Sequence, residues 1–138
     1  MFTIDVTQVY TQGELLDDIY VLAPRSHPPP KEVVYKLRRP LYGTKQAGRC
    51  WYLHVTKTLG SLGPRQMCKD SCFFVRMDHD KPSLIISVLV DDLLITAEND
   101  VVVKQFQREF SDIYQGICAL VHFPSCNSPH VVPSFSDF

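Results

Sequence analysis

The chain has 138 residues, enough for one domain or part of one. It is 45% hydrophobic and 21% charged with a formal net charge of −1, a balance that excludes a disordered tail. No apolar run reaches the ~18–20 residues needed to span a bilayer. The segment Met1-Phe2-Thr3-Ile4-Asp5 lacks a basic stretch followed by an apolar one, so no secretory leader is expected. Five cysteines, an odd number with no Cys-x-x-Cys pair, argue against a disulfide framework and for a reducing, intracellular setting.

In chain order, Ile4, Val6, Val9 and Tyr10 suggest a strand running into a turn at Gln12-Gly13. Asp18 to Leu22 and Val33 to Leu37 are short strand candidates, separated by a loop containing Pro28-Pro29-Pro30. Ala47, Trp51, Val55, Leu59 and Leu62 recur at helical spacing, with Thr44 as the N-cap and Gly60, Gly63 and Pro64 as the stop. Trp51 reads as a core residue of that helix. Two strands follow, Cys72 to Met77 and Leu84 to Val90, joined by turn chemistry from Asp78 to Pro82. After Asp91-Asp92, the apolar pattern resumes at Leu93 to Thr96, giving a hairpin with two carboxylates at its tip. Asn99 or Asp100 then caps a helix that presents Val103, Phe106, Phe110 and Ile113 on one face. Beyond about Gln115 the periodicity is lost and an irregular tail is expected.

Charge is strongly segregated. Residues 25–69 carry ten basic side chains and one acid, Glu32, and the rest of the chain is correspondingly acidic. That arrangement suits a polyanion held beside carboxylate-bound metals; a solvated basic helix face is the plainer alternative. Adjacent carboxylates at a strand end repel unless water or a cation offsets them. Mg²⁺ takes hard oxygen ligands, usually few carboxylates together with substrate phosphates, and Asp5 at the end of an apolar strand is the natural third carboxylate. Cys118, His122 and Cys126 offer three potential zinc ligands at an unusual spacing and are set aside.

Four blocks in order carry a resemblance. Asp5-Val6-Thr7-Gln8-Val9-Tyr10 with Asp17-Asp18-Ile19-Tyr20, then Leu41-Tyr42-Gly43-Thr44-Lys45-Gln46-Ala47-Gly48-Arg49-Cys50-Trp51, then Asp70-Ser71-Cys72-Phe73-Phe74, then Val88-Leu89-Val90-Asp91-Asp92-Leu93 together resemble the reverse transcriptase of Ty1/copia-type retrotransposons. The resemblance implies an α/β (α+β) polymerase palm: an antiparallel sheet with helices on one face. It assigns residues 1–114 to a partial palm and 115–138 to a divergent tail, with fingers, thumb and RNase H regions expected elsewhere in a parent Pol protein.

It also implies RNA-directed DNA polymerisation through two Mg²⁺ ions, with Mn²⁺ as a substitute. Asp5 and Asp91 would hold the metals with the Val6 carbonyl, and Asp92 would lie beside them. Tyr10 would be the gate that excludes a ribose 2′-hydroxyl. Gly43, Lys45, Gln46 and Arg49 would contact nucleotide and template. The implied partners are an RNA or DNA template-primer and deoxynucleotides, with no membrane role, and the parent element would work in a cytoplasmic virus-like particle. The sequence departs from the family pattern at Leu89, where a tyrosine is usual, at Gly48 and Ser71, where prolines are usual, and at Thr44 in place of leucine. Two alternatives stand beside the polymerase reading: an inactive retroelement remnant, and a nucleic-acid-binding module resting on the basic segment.

Overall fold

The computed structural model describes residues 1–26, 28 and 33–114, together with the backbone of 118–122. Its elements are β1 (Phe2–Val6), α1 (Val9–Gln12), β2 (Tyr20–Leu22), β3 (Val34–Lys36), α2 (Ala47–Ser61), β4 (Arg65–Gln66), β5 (Phe73–Asp78), β6 (Lys81–Leu89), β7 (Asp92–Ala97), α3 (Asp100–Ile113) and β8 (Cys118–His122). The fold is α+β. The chain divides into two compact units, one formed by Met1–Thr7 with the chain from Leu59 onward and the other by Gln8–Thr58.

The first unit is a sheet of order β4-β5-β6-β7-β1-β8, with antiparallel pairing at every junction. Alternation along the strands sends Ile4, Phe74, Leu84, Ile86, Val88, Leu93 and Ile95 to one face, where all are buried. Helix α3 packs on this unit against β6 and β7. Its sequence explains that docking: Val103, Phe106 and Phe110 recur at helical spacing and are buried. The Asn99 side chain accepts the Val102 N–H at 3.0 Å, so the expected cap is Asn99. Ile113 was expected on the buried face but is 46% exposed, and Tyr114 at the helix end is buried instead, its ring 4.6 Å from Phe110. The i to i+4 step from Phe110 reaches Tyr114, and the i+3 step to Ile113 has rotated off the seam.

Two features tune the β5–β6–β7 meander. His79 and Asp80 both adopt positive φ (43° and 65°), which closes β5–β6 as a two-residue hairpin whose twist suits antiparallel strands. The turn is therefore tighter than the five-residue stretch expected from sequence, and Pro82 lies within β6. Between Arg76 and Met77 the register shifts: Arg76 pairs with Leu84 and Met77 with Pro82. Ser83 is the extra residue of this bulge, and its hydroxyl donates to the Arg76 carbonyl at 3.0 Å.

In the second unit, β2 and β3 form a separate two-stranded ribbon. Lys36 and Asp18 bridge beside it at 2.7 Å, and the Asp18 carboxylate, as hydrogen-bond partner, raises the Lys36 pKa. The segment Val9–Gln12 is a single helical turn, not the continuation of a strand, because Gln8 enters the left-handed region (φ 57°) and breaks the extended run. Thr44 does not cap α2. Its hydroxyl donates to the Leu41 carbonyl at 2.7 Å, and the helix begins three residues later, at Ala47, with Cys50 N–H donating to the Gln46 carbonyl. Gly60 lies inside α2, and Gly63 (φ 104°) makes the left-handed stop. The tail expected to be irregular lies outside the described residues except at Cys118–His122, whose backbone pairs with β1 as β8. The pattern Cys118, His122 and Cys126 extends into that undescribed region. No helix among the described residues is long and apolar enough to cross a membrane.

Candidate functional site

The acidic tip belongs to the first unit. β6 and β7 pair up to Leu89–Asp92, so Val90 and Asp91 are the two turn residues. Val90 holds a φ of 54°. A β-branched residue there is strained, since its Cβ crowds the backbone. The Val6 N–H donates to the Asp91 carbonyl at 3.1 Å, which ties the tip to the end of β1. Across the β1–β7 ladder, Asp5 stands directly opposite Asp92. Directly opposed residues share a face, with Cβ atoms typically about 4.5–5.5 Å apart. Asp5 is half-buried, whereas Asp91 and Asp92 are exposed.

The register therefore brings Asp92, not Asp91, opposite Asp5, because a two-residue turn takes Asp91 out of the ladder. Val6 is buried, with its side chain on the sheet face opposite to Asp5. Leu89, at the position where a tyrosine was expected, pairs with Asp92 on the same face and is 52% exposed. Among the described residues no group of three or more His, Cys, Asp or Glu side chains gathers around one point. The Asp5–Asp92 pair nonetheless fits a Mg²⁺ ion in donor chemistry, since that ion binds through one or two carboxylates with phosphates and water completing its shell.

The remaining expected residues belong to the second unit. Tyr10 lies on α1, and its ring centroid is 4.6 Å from that of Tyr42 at an interplanar angle of 54°. Tilted aromatic pairs at this separation are attractive. Arg39 fixes the end of α1 by donating to the carbonyls of Gln12 (3.2 Å) and Gly13 (3.1 Å). Gly13 is dictated by contact: a Cβ there would sit 2.8 Å from the Cys50 carbonyl carbon. Gly43 is dictated by conformation, at φ 91° in the Leu41–Thr44 turn, where the Thr44 N–H donates to Leu41. Lys45 and Arg49 are exposed and Gln46 is intermediate, at and just inside the start of α2. Trp51 is buried, as expected of a core residue. Tyr42 and Arg39 escaped the site reading. The sequence signal for Tyr42 was its place beside Gly43, but nothing local shows that it meets Tyr10.

His54 lies on α2 with its ring 6.1 Å from Trp51. Burial first, and then the Arg39 charge, lower its pKa from 6.5, with Glu14 opposing. The folded state thus takes up the proton later than the unfolded state as pH falls. Stability from this group is complete above about 6.5 and declines as pH drops below that value. Urea midpoints measured from pH 7.5 to 5.5 are expected to fall more steeply for the parent than for His54→Gln. Parallel profiles would rule this out.

Comparison with known proteins gives a consistent result. The reverse transcriptase (RNA-dependent DNA polymerase) family matches residues 1–117. The chain is 36% identical over 101 residues, 70% of its length, to the retrovirus-related Pol polyprotein from transposon RE1 of Arabidopsis thaliana. It is 32% identical over 106 residues, 73% of its length, to that from transposon RE2 of the same plant. It is 27% identical over 110 residues, 78% of its length, to that from transposon TNT 1-94 of Nicotiana tabacum. The matches cover 7%, 7% and 8% of those proteins, so the chain spans less than a tenth of each.

Proposed function

The chain belongs to the reverse transcriptase family of copia-type transposons, and from that premise we propose that it is a palm segment whose acidic tip serves template-directed nucleotidyl transfer. The observation that carries this reading is the register of β1 on β7, which sets Asp5 opposite Asp92 beside the Asp91 turn. In the reaction, the primer 3′-hydroxyl attacks the α-phosphorus of a deoxynucleotide and pyrophosphate leaves. Asp5 and Asp92, with Asp91 and the Val6 carbonyl, would hold two Mg²⁺ ions. When bound, such ions acidify the attacking hydroxyl and neutralise the leaving group.

The residues of the second unit take the nucleotide roles. Tyr10, braced by Tyr42, would crowd a 2′-hydroxyl and so favour deoxyribose. Lys45 and Arg49 would supply cationic phosphate contacts, and Gly43 in the Leu41–Thr44 turn and Gln46 at the start of α2 would align base and template. The template-primer and deoxynucleotides are the substrates of this reading. Fingers, thumb and RNase H segments of a Pol polyprotein are its partners, in an intracellular particle.

Primer extension on an RNA template with Mg²⁺ or Mn²⁺ tests it. Extension should be metal-dependent and fall about a thousandfold in Asp5→Asn, as loss of several kcal/mol of charge stabilisation requires. No extension, together with the same metal-binding heat in parent and variant, would overturn the site assignment. Extension absent while the heat still depends on Asp5 would favour the second reading, a catalytically inactive remnant. The exposed Leu89, where the family pattern has a tyrosine, is the observation on that side.

A further inference from the structure

We propose that Cys68 and Cys72 form a reversible dithiol–disulfide site that fastens the edge strand β4 to the sheet. Both thiols are free and exposed, whereas Cys50 is buried. The β4–β5 ladder pairs Arg65 with Val75 and Gln66 with Phe74. The Met67 N–H donates to the Phe73 carbonyl at 2.9 Å, which carries the same register one step further. The next two positions in that register are Cys68 and Cys72. Because Met67 and Phe73 meet through a hydrogen bond, the cysteines fall at a non-hydrogen-bonded position, where antiparallel Cα atoms are about 4.5 Å apart. Disulfides span Cα separations of about 4.4–6.8 Å, and directly opposed residues share a face.

The two cysteines are held differently. Cys72 is fixed to the sheet: its carbonyl accepts the Val88 N–H at 2.9 Å, and its own N–H donates to the Asp70 carboxylate at 2.8 Å. Cys68 follows β4, which has two residues and ends the sheet order. The connection Lys69-Asp70-Ser71 is folded by the Phe73 N–H, which donates to the Asp70 carbonyl at 3.2 Å. The Gln66 side-chain amide crosses to the Ser71 carbonyl at 2.7 Å. These bonds bring the two arms together in the thiol state, so closing the disulfide asks for little movement. A strand this short has few bonds to keep it paired, and a covalent link at its end changes its opening the most.

The oxidant is a low-molecular-weight disulfide, with glutathione disulfide as the probe. One cysteine thiolate attacks it, forming a protein–glutathione disulfide and expelling one glutathione thiolate. The second cysteine thiolate attacks the protein sulfur of that bond and expels the other glutathione. The protein loses two electrons and two thiol protons, and two glutathione thiols gain them. Excess reduced glutathione runs the same steps backward. Transient bonds of this kind are the ones that suit a reducing compartment. No residue of the acidic tip takes part, so the site is independent of the polymerase reading.

The test oxidises the full chain with glutathione disulfide, blocks the remaining thiols and maps tryptic peptides. Trypsin cuts after Lys69 and so separates Gln66–Lys69 from Asp70–Arg76, which stay joined only through a Cys68–Cys72 bond. The joined pair should be the main oxidised product and should revert with excess reduced glutathione. It should form about tenfold faster in buffer than in urea, where the fold no longer sets the thiols opposite each other. Amide exchange at Met67 should slow on oxidation, because its bond to Phe73 opens less often. In Cys72→Ser, Cys68 should stop at the glutathione adduct, and Met67 exchange should keep the rate of the thiol form. An equal rate of joining in urea would mean that nearness in the chain alone pairs the thiols, and would overturn the proposal. Glutathione adducts on both cysteines, pairing of either with Cys50, or Met67 exchange untouched by oxidation would overturn it as well.

Discussion

In EDTA, Asp92→Asn should unfold at a higher urea concentration than the parent, and in saturating Mn²⁺ the order should reverse. The first half follows from the ladder: Asp5 and Asp92 face each other directly, and opposed like charges destabilise a strand pair by about 0.2–1 kcal/mol. Solvent at the exposed Asp92 keeps the gain toward the lower end of that range. The second half follows from linkage. A cation that binds only the folded parent stabilises it by about 2.7 kcal/mol at one hundred times its dissociation constant. The asparagine variant forfeits most of that gain. A variant that is less stable than the parent in EDTA and responds equally to Mn²⁺ would show that the carboxylates do not act as a pair. Under the proposed function, the acidic tip gives up some stability for a charge arrangement that a cation would complete.

Phe110→Ala should lower the unfolding free energy by about 3–5 kcal/mol. Phe110 is fully buried between Phe106, at 5.6 Å between ring centroids, and Tyr114, at 4.6 Å. Removing it leaves a cavity that its aromatic neighbours on one rigid helix cannot collapse to fill. Ile113→Ala, three residues along the same helix, should change stability by less than about 0.5 kcal/mol because Ile113 is exposed. Urea unfolding followed by far-ultraviolet circular dichroism separates the two. Similar losses for both would mean that α3 docks through a different seam.

The contrast between Phe110 and Ile113 shows what could be read in the chain. Apolar spacing gave the existence of α2, α3 and the β6–β7 hairpin, because each is long enough for its period to stand out. It did not give the phase at the end of α3, where a one-residue choice between Ile113 and Tyr114 depends on what lies across the interface. The two-residue strand β4 has no period at all, and α1 is a single turn whose residues would suit a strand equally well. The candidate site shows the same division. Asp91-Asp92 is conspicuous between two apolar runs, but its pairing with Asp5 joins residues more than eighty positions apart. That register also decides which of the two acids faces β1. Likewise, Tyr10 and Tyr42 meet only because the intervening chain returns, and no local pattern encodes that return.

The bulge at Ser83 has a bearing on how such a sequence can change over time. Downstream of it, Leu84, Ile86 and Val88 enter the core while Leu89 and Asp92 take the other face. Loss of one codon between the bulge and the turn would shift this alternation by one step, turning three core residues outward and moving the tip acids relative to Asp5. The length of this segment is therefore under tighter constraint than its composition. Many substitutions among aliphatic residues should pass there, whereas single-codon insertions and deletions should not, unless the bulge itself absorbs them.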